Sequence, residues 1–284
     1  MSTETGWRLR ITHTTRVSYD GDARASYNEL RMAPLTLPGQ TVLGSRITVQ
    51  PHVAVWTYWD YWGSEVAAFD LQAAHPSLVM VAASTVETSP APPLPDPPPW
   101  TDLPGLAREL GLDEYLVPTD RTRVSEEIAG RARSLVEGLD PHDAALRLAA
   151  WIRDRVDYVA GATAVTTSAQ EAWEVRQGVC QDIAHLTVGV HRAVGLPARY
   201  VSGYLHPDPD ARPGDTMEGQ SHAWVEYWAG DWVAHDPTNR IPAGECHVTV
   251  ARGRDYDDVP PLKGIYHGAP SSVMDVTVEV TRLF

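Results

Sequence analysis

Cys180 follows Gly178 and Val179 and opens a helical stretch that runs over 180–194 and stops at Gly195 and Pro197. A cysteine in that setting is a candidate nucleophile. The first N–H groups of a helix lack intrahelical partners and carry the positive end of its dipole, so they favour a thiolate over a thiol of ordinary pKa ~8.5. The same groups can donate to an oxyanion forming on a substrate carbonyl, an effect of about 10²–10³ in rate per donor in other enzymes. Such a nucleophile needs a base. The candidate is His222, on a strand that turns near Ala229-Gly230-Asp231 and returns through Trp232-Val233-Ala234-His235-Asp236. Two odd-length loops are open. With 227–231 as the loop, Asp236 lies directly opposite His222. With 229–231, it pairs with Trp224 and sits diagonal to His222 on the same face. Either arrangement lets Asp236 orient the imidazole and fix its tautomer, leaving the other ring nitrogen for the thiol. Trp224 shares that face and is expected to shield the pair from water, whereas strand parity sends His235 to the opposite face.

The elements that must hold these residues fall into two halves. Over 7–19, Trp7, Leu9, Ile11, Val17 and Tyr19 alternate with polar residues, the period of a half-buried strand. Further short runs over 27–35, 42–49, 53–59, 65–71 and 78–86, without helical spacing between them, predict an all-β, sandwich-like domain over residues 1–88. Eight prolines between Pro90 and Pro104 favour extended chain and mark residues 89–104 as a linker, with a proline-rich ligand for a partner domain as the other reading. Beyond it, apolar residues recur at helical spacing over 125–137 and 141–156, and Ser168 with Glu171 forms a capping box for a helix over 169–176. Strands are expected over 199–204, 221–228, 232–236 and 247–251, and again through Val276, Val278 and Val280. Helices followed by strands make residues 105–284 an α+β core.

The stretch Gly178-Val179-Cys180-Gln181-Asp182 with Ala184-His185-Leu186 resembles the nucleophile segment of the transglutaminase-like superfamily, and Gly195-Leu196-Pro197-Ala198-Arg199-Tyr200 resembles the helix-to-strand passage of its bacterial members. Ser221-His222-Ala223-Trp224 and Asp236-Pro237-Thr238-Asn239 are similar to the His and Asp segments. The opening Ile11-Thr12-His13 through Tyr27-Asn28-Glu29-Leu30-Arg31, and the tail around Gly253-Arg254-Asp255-Tyr256, are similar to a bacterial subgroup with a β domain before the core. The resemblance implies a papain-like core in which Cys180 is the nucleophile, His222 the base and then acid, and Asp236 the orienting group, acting on amides through a thioester. His235 departs from the pattern, which has an apolar or small residue before the Asp.

Other positions are candidates for substrate or oxyanion contacts. Gln177 is a candidate oxyanion donor, with capping as the alternative. Tyr158 is placed either in the core or with its hydroxyl at the site. Asp182, in the first turn after Cys180, either compensates the helix dipole or meets a substrate amine. His185 and His191 read as structural. Cys246-His247 invites a zinc site, but no Cys-x-x-Cys or His-x-x-x-His spacing supports one, so neither metal nor cofactor is expected. Arg252, Arg254 and Asp255 read as an ion-pair cluster.

The chain has 284 residues, 43 % hydrophobic and 21 % charged, as in globular proteins. Thirty-seven acidic against 23 basic residues leave −14, which excludes a nucleic-acid binder and disfavours an anionic membrane surface. Two cysteines do not make a disulfide scaffold. The opening residues lack a secretory pattern and no apolar run reaches ~18 residues, so a cytoplasmic location is expected. Residues 201–284 hold 13 acidic and 6 basic residues. Asp208, Asp210, Asp215 and Glu218 precede His222 in a long connection that reads either as a solvated surface loop or as a lid or specificity loop, and that would favour a cationic substrate if it lined the cleft. The expected function is cysteine-dependent amide acyl transfer on a peptide, protein or small amide. Hydrolysis leads over transamidation, and a non-catalytic binding module is the reading from another class.

Overall fold

The structure is a computed structural model that describes residues 6–219 and 221–284; the opening residues 1–5, on which part of the leader reading falls, lie outside the described residues. The N-terminal part supplies β1 (Trp7–Ala23), β2 (Ala25–Leu30), β3 (Gln40–Gln50), β4 (Trp56–Trp59), β5 (Glu65–Leu71) and β6 (His75–Thr88). Helices α1 (Leu103–Glu109), α2 (Glu126–Leu135) and α3 (Pro141–Arg153) follow. Then come β7 (Asp157–Tyr158), α4 (Ala169–Val175), β8 (Gln177–Gly178) and α5 (Cys180–Ala193). The chain closes with β9 (Ala198–Leu205), β10 (Thr216–Gly219), β11 (His222–Trp228), β12 (Trp232–Asp236), β13 (Ile241–Pro242), β14 (His247–Gly253), β15 (Leu262–His267) and β16 (Ser272–Arg282).

Among the described residues the strands form a sheet ordered β10-β16-β1-β6-β3, a sheet ordered β15-β2-β5-β4, a sheet ordered β13-β12-β11-β9-β14, and the short parallel pair β7-β8. The first two sandwich a core that includes Leu30, Met32, Phe69, Leu78 and Met80. The third carries the α+β core, with α5 against β9 and β11 on one side and α2, α3 and α4 on the other. Residues 181–192 of α5 are all buried, so this helix is the hub of the core rather than a surface amphipath.

The division at residue 105 needs correcting. β15 pairs with β2, and β16 pairs with β1 from Leu9↔Arg282 to Tyr19↔Ser272, so the C-terminal segment completes the N-terminal β unit. The alternation of Val276, Val278 and Val280 foretells a strand but says nothing about its partner, because pairing is a long-range choice. The same sheet takes up part of the acidic connection. β10 pairs with Thr281 to Val278 of β16, so that segment is an edge strand and not a free lid. The proline run is also more than a spacer. Pro90 to Pro95 line a cavity together with Trp232 and Ala234 of β12, so the run lies as a strap on the β13-β12-β11-β9-β14 sheet. α1 begins within the predicted linker, because a proline at the first turn of a helix forfeits an N–H that would be unpaired anyway.

Candidate active site

Cys180 is the first residue of α5, and the turn before it depends on a glycine. An added Cβ at Gly178 would lie 2.7 Å from Cβ of Asp182. Without one, Asp182 folds back so that its Oδ2 accepts the Val179 N–H at 2.8 Å and the Thr163 hydroxyl at 2.6 Å. Asp182 is completely buried, and burial raises its pKa against those hydrogen bonds. It is therefore the N-terminal cap of the helix, and the substrate-amine contact considered for it is excluded by burial. The N–H groups of Cys180 and Gln181 belong to the first turn of α5, whose amides have no intrahelical partners.

β11 delivers His222 opposite Gly203 of β9. A Cβ at Gly203 would stand 2.6 Å from the Trp224 ring, so this glycine makes the space in which the indole lies. Trp224 is 1 % exposed and stacks on His222, with ring centroids 6.1 Å apart and planes at 28°. The shielding expected of it is present. β11 and β12 pair as Trp228↔Trp232 and Val225↔His235, so the loop is 229–231 and Asp236 stands across from Trp224, diagonal to His222. His235 projects to the other face, where burial lowers its pKa to about 4.

His222 donates from Nε2 to Asp236 Oδ2 at 2.7 Å, which leaves Nδ1 for Cys180. Burial pulls the His222 pKa down, but the hydrogen bonds and charges of Asp236 and Cys180 outweigh it and raise the value to about 10. Asp236 is wholly buried, which by itself opposes ionisation. Bonds and charge from His222 and His247 nevertheless hold it well below the usual carboxylate range. Its Oδ1 accepts the backbone N–H groups of Thr238 (2.9 Å) and Asn239 (3.1 Å), and its Oδ2 also accepts Asn239 Nδ2 (2.7 Å) and His247 Nε2 (3.3 Å). His222, Asp236 and His247 place three donor atoms within 4.8 Å of one another, the kind of set that can hold a metal ion. Here hydrogen bonding already accounts for the cluster, since each imidazole spends its Nε2 proton on the same carboxylate oxygen.

A cavity of about 360 Å³ opens at Cys180 and His222. Its walls come from both units: Thr15 of β1 and Met274 and Val276 of β16 face Tyr200, Tyr256 and Val179 of the core. Asp275 also borders it, but the ladder pairs Asp275 with Arg16, on the face away from Thr15. None of Asp208, Asp210, Asp215 and Glu218 lines the cavity. Gln177 is exposed, pairs with Asp157 in β7 and β8, and stays outside it. Gln181, one residue after the cysteine, lines it instead and donates from Nε2 to Val165 O at 3.0 Å. Tyr158 is half-exposed beside the thiol, where burial and the Cys180 charge raise its pKa, so it stays a hydrogen-bond donor.

The remaining candidates are structural. His185 accepts the Tyr256 N–H, and His191 bonds Ala145 O. Arg252 pairs with Glu226, and Arg254 with Asp258. Cys246 is partly buried and its pKa is pushed up to about 11, the opposite of an activated thiol. Sequence reasoning named Gln181 and His247 but missed their roles. Only the tertiary fold brings His247 to Asp236, and beside Cys246 it was weighed as a zinc ligand instead.

A buried helix presenting a cysteine to a His and Asp on an antiparallel sheet defines a papain-like thiol site. Comparison with known families agrees. Residues 130–237 match the transglutaminase-like superfamily and residues 9–87 match the bacterial transglutaminase-like N-terminal region. The chain belongs to the transglutaminase-like superfamily, whose members are cysteine-dependent enzymes of amide-bond chemistry. It is 44 % identical to an uncharacterised protein of Mycobacterium leprae over 98 % of this chain and 99 % of that protein. It is 33 % identical to a protein-glutamine gamma-glutamyltransferase of Pseudomonas aeruginosa, over 34 % of this chain and 16 % of that one. A crystal structure of a candidate cysteine protease from Cytophaga hutchinsonii superposes with a TM-score of 0.78 at 22 % identity, covering 98 % of this chain and 91 % of that one. That likeness is one of fold.

Proposed function

We propose that the protein hydrolyses amide bonds through a thioester on Cys180. The observation that carries this reading is that a helix-start cysteine and the histidine of a His222–Asp236 pair line one cavity. Cys180 gives its proton to His222 Nδ1 and its sulfur attacks the carbonyl carbon, placing the oxyanion near the first-turn amides and Gln181. Collapse of that intermediate breaks the C–N bond as His222 returns the proton to the leaving nitrogen. Water then attacks the thioester, His222 takes its proton, and the acid leaves as Cys180 recovers a hydrogen. Asp236 stabilises the imidazolium at each stage without itself accepting a proton. The cleft walls of Thr15, Tyr200, Tyr256, Met274 and Val276 favour an uncharged, partly apolar acyl group of side-chain size, from a peptide or small amide.

Transamidation is the second reading, favoured by the partial likeness to the Pseudomonas glutamyltransferase. It uses the same thioester with an amine in place of water. A mass-spectrometric screen of glutamine-containing peptides, with and without a primary amine, separates the two. Hydrolysis releases ammonia, or cleaves the peptide, whether or not amine is supplied, whereas incorporation of the amine establishes transfer. Turnover that persists in Cys180→Ala would end both.

A further inference from the structure

We infer that His247 is a positioning residue for the chemistry at Cys180, a neutral imidazole held as its Nε2–H tautomer that shares the Asp236 carboxylate with His222. The inference rests on the proposed reaction but adds a fourth residue to it, and its argument is geometric. His247 opens β14, with β9 standing between β14 and β11. Its side chain reaches Asp236, and the Trp224 indole, which fills the space beside Gly203, packs edge-on against it at 5.2 Å and 72°. One indole thus fixes two imidazoles, stacking on His222 and meeting His247 at its edge.

The tautomer follows from the partners. Gly244 directs its backbone N–H to His247 Nδ1 at 3.3 Å. An amide N–H can only donate, so Nδ1 is unprotonated and the ring proton sits on Nε2, 3.3 Å from Asp236 Oδ2. Burial keeps the ring neutral, against the opposing pull of Asp236. The charged groups around it are Asp236 on β12, His222 on β11 and Glu245 in the preceding turn; the Glu226–Arg252 pair borders the cavity behind the sheet that His247 also lines.

The consequence is electrostatic. Oδ2 of Asp236 takes three donors, from His222, Asn239 and His247. Each donor lowers the basicity of the carboxylate, so His222 is held in place without its proton being bound too tightly to pass to a leaving amine. A cationic residue at position 247 would instead compete with the imidazolium of His222, and an apolar one would leave Asp236 to bind that proton alone.

The test is a ¹⁵N NMR titration of histidine-labelled protein. In the native protein His247 is expected to show an unprotonated Nδ1 and a protonated Nε2 across the neutral range. His247→Leu is expected to raise the His222 midpoint by about half a pH unit or more, and His247→Gln, whose amide can still donate to Asp236, to leave it near the native value. A His247 protonated at Nδ1, an unmoved midpoint in His247→Leu, or a shift in His247→Gln as large as in His247→Leu would each overturn the inference. If the leucine variant does not fold, the native tautomer and the glutamine variant decide it. Iodoacetamide labelling of the native protein tests the parent reading separately: if Cys180 reacts no faster than Cys246, the proposed nucleophile fails whatever His247 does.

Discussion

Asp236 shows what a single residue has to satisfy at this site. Its two oxygens accept five hydrogen bonds, all from donors, so the position requires a group with acceptor capacity on both sides. Asn offers one accepting oxygen and would turn its NH2 toward other donors. Asp236→Asn is therefore expected to let the raised His222 pKa fall back toward its ordinary value. It is also expected to slow alkylation of Cys180 at neutral pH by tenfold or more. An alkylation rate equal to that of the native protein would reduce Asp236 to a packing residue. The pairing of His222 with Asp236 was legible from strand parity, and the register left open between two odd loops is now the shorter one. His247 was not legible as their partner, because no local pattern reports which side chain will reach across a third strand.

At the scale of elements, α5 is set by its first turn. The motif Gly178-Val179-Cys180-Gln181-Asp182 reads locally as a helix start, and the structure explains why the glycine and the aspartate belong together. Gly178→Ala must push Asp182 off the cap or shift the turn, and either change moves the thiol. We expect a loss of about 1–3 kcal/mol in urea unfolding together with slower Cys180 alkylation. Full stability with unaltered alkylation would show that the cap can be rebuilt around a methyl group. Helical periodicity located α2 and α3, the capping box located α4, and the stop at Gly195 and Pro197 located the end of α5, each to within a few residues. α1 was missed because its Pro104 read as the end of the proline-rich linker. β10 and β15 were not read as strands, and the destination of β16 was missed because a strand's alternation specifies its two faces but not its neighbours.

The whole molecule adds two properties that no segment holds. The first is a cleft walled by both units, since β16 returns to lie beside β1 and brings Met274 and Val276 to the cavity at Cys180. The second is a set of buried or partly buried neutral histidines. Burial lowers the pKa of His13, His191 and His235 to about 4 and that of His185 to about 3, from 6.5. For a base with a depressed folded pKa, stability is complete above 6.5 and is lost as pH falls toward the folded value, because the unfolded chain binds more protons. Each such group costs up to about 1.4 kcal/mol per pH unit in that window. His222 has already made its full contribution below 6.5, and Asp182 and Asp255, raised by burial, oppose the trend only modestly. The urea midpoint is expected to fall steeply from pH 6.5 to 4.5, and a flat profile there would contradict the burial of these rings in solution.

The sequence by itself determined the class of chemistry and the local elements: a cysteine at a helix start, a histidine and an aspartate on one face of a hairpin, strands before the proline run and helices after it. These are short-range properties, written in periodicity, capping and turn residues. Only the tertiary structure decided that the C-terminal strands complete the N-terminal sheets, that part of the acidic connection becomes the edge strand β10, and that His247 shares Asp236. Those outcomes depend on pairing between segments far apart in the chain, and pairing is selected by the packing of the whole molecule rather than by any pattern within one strand.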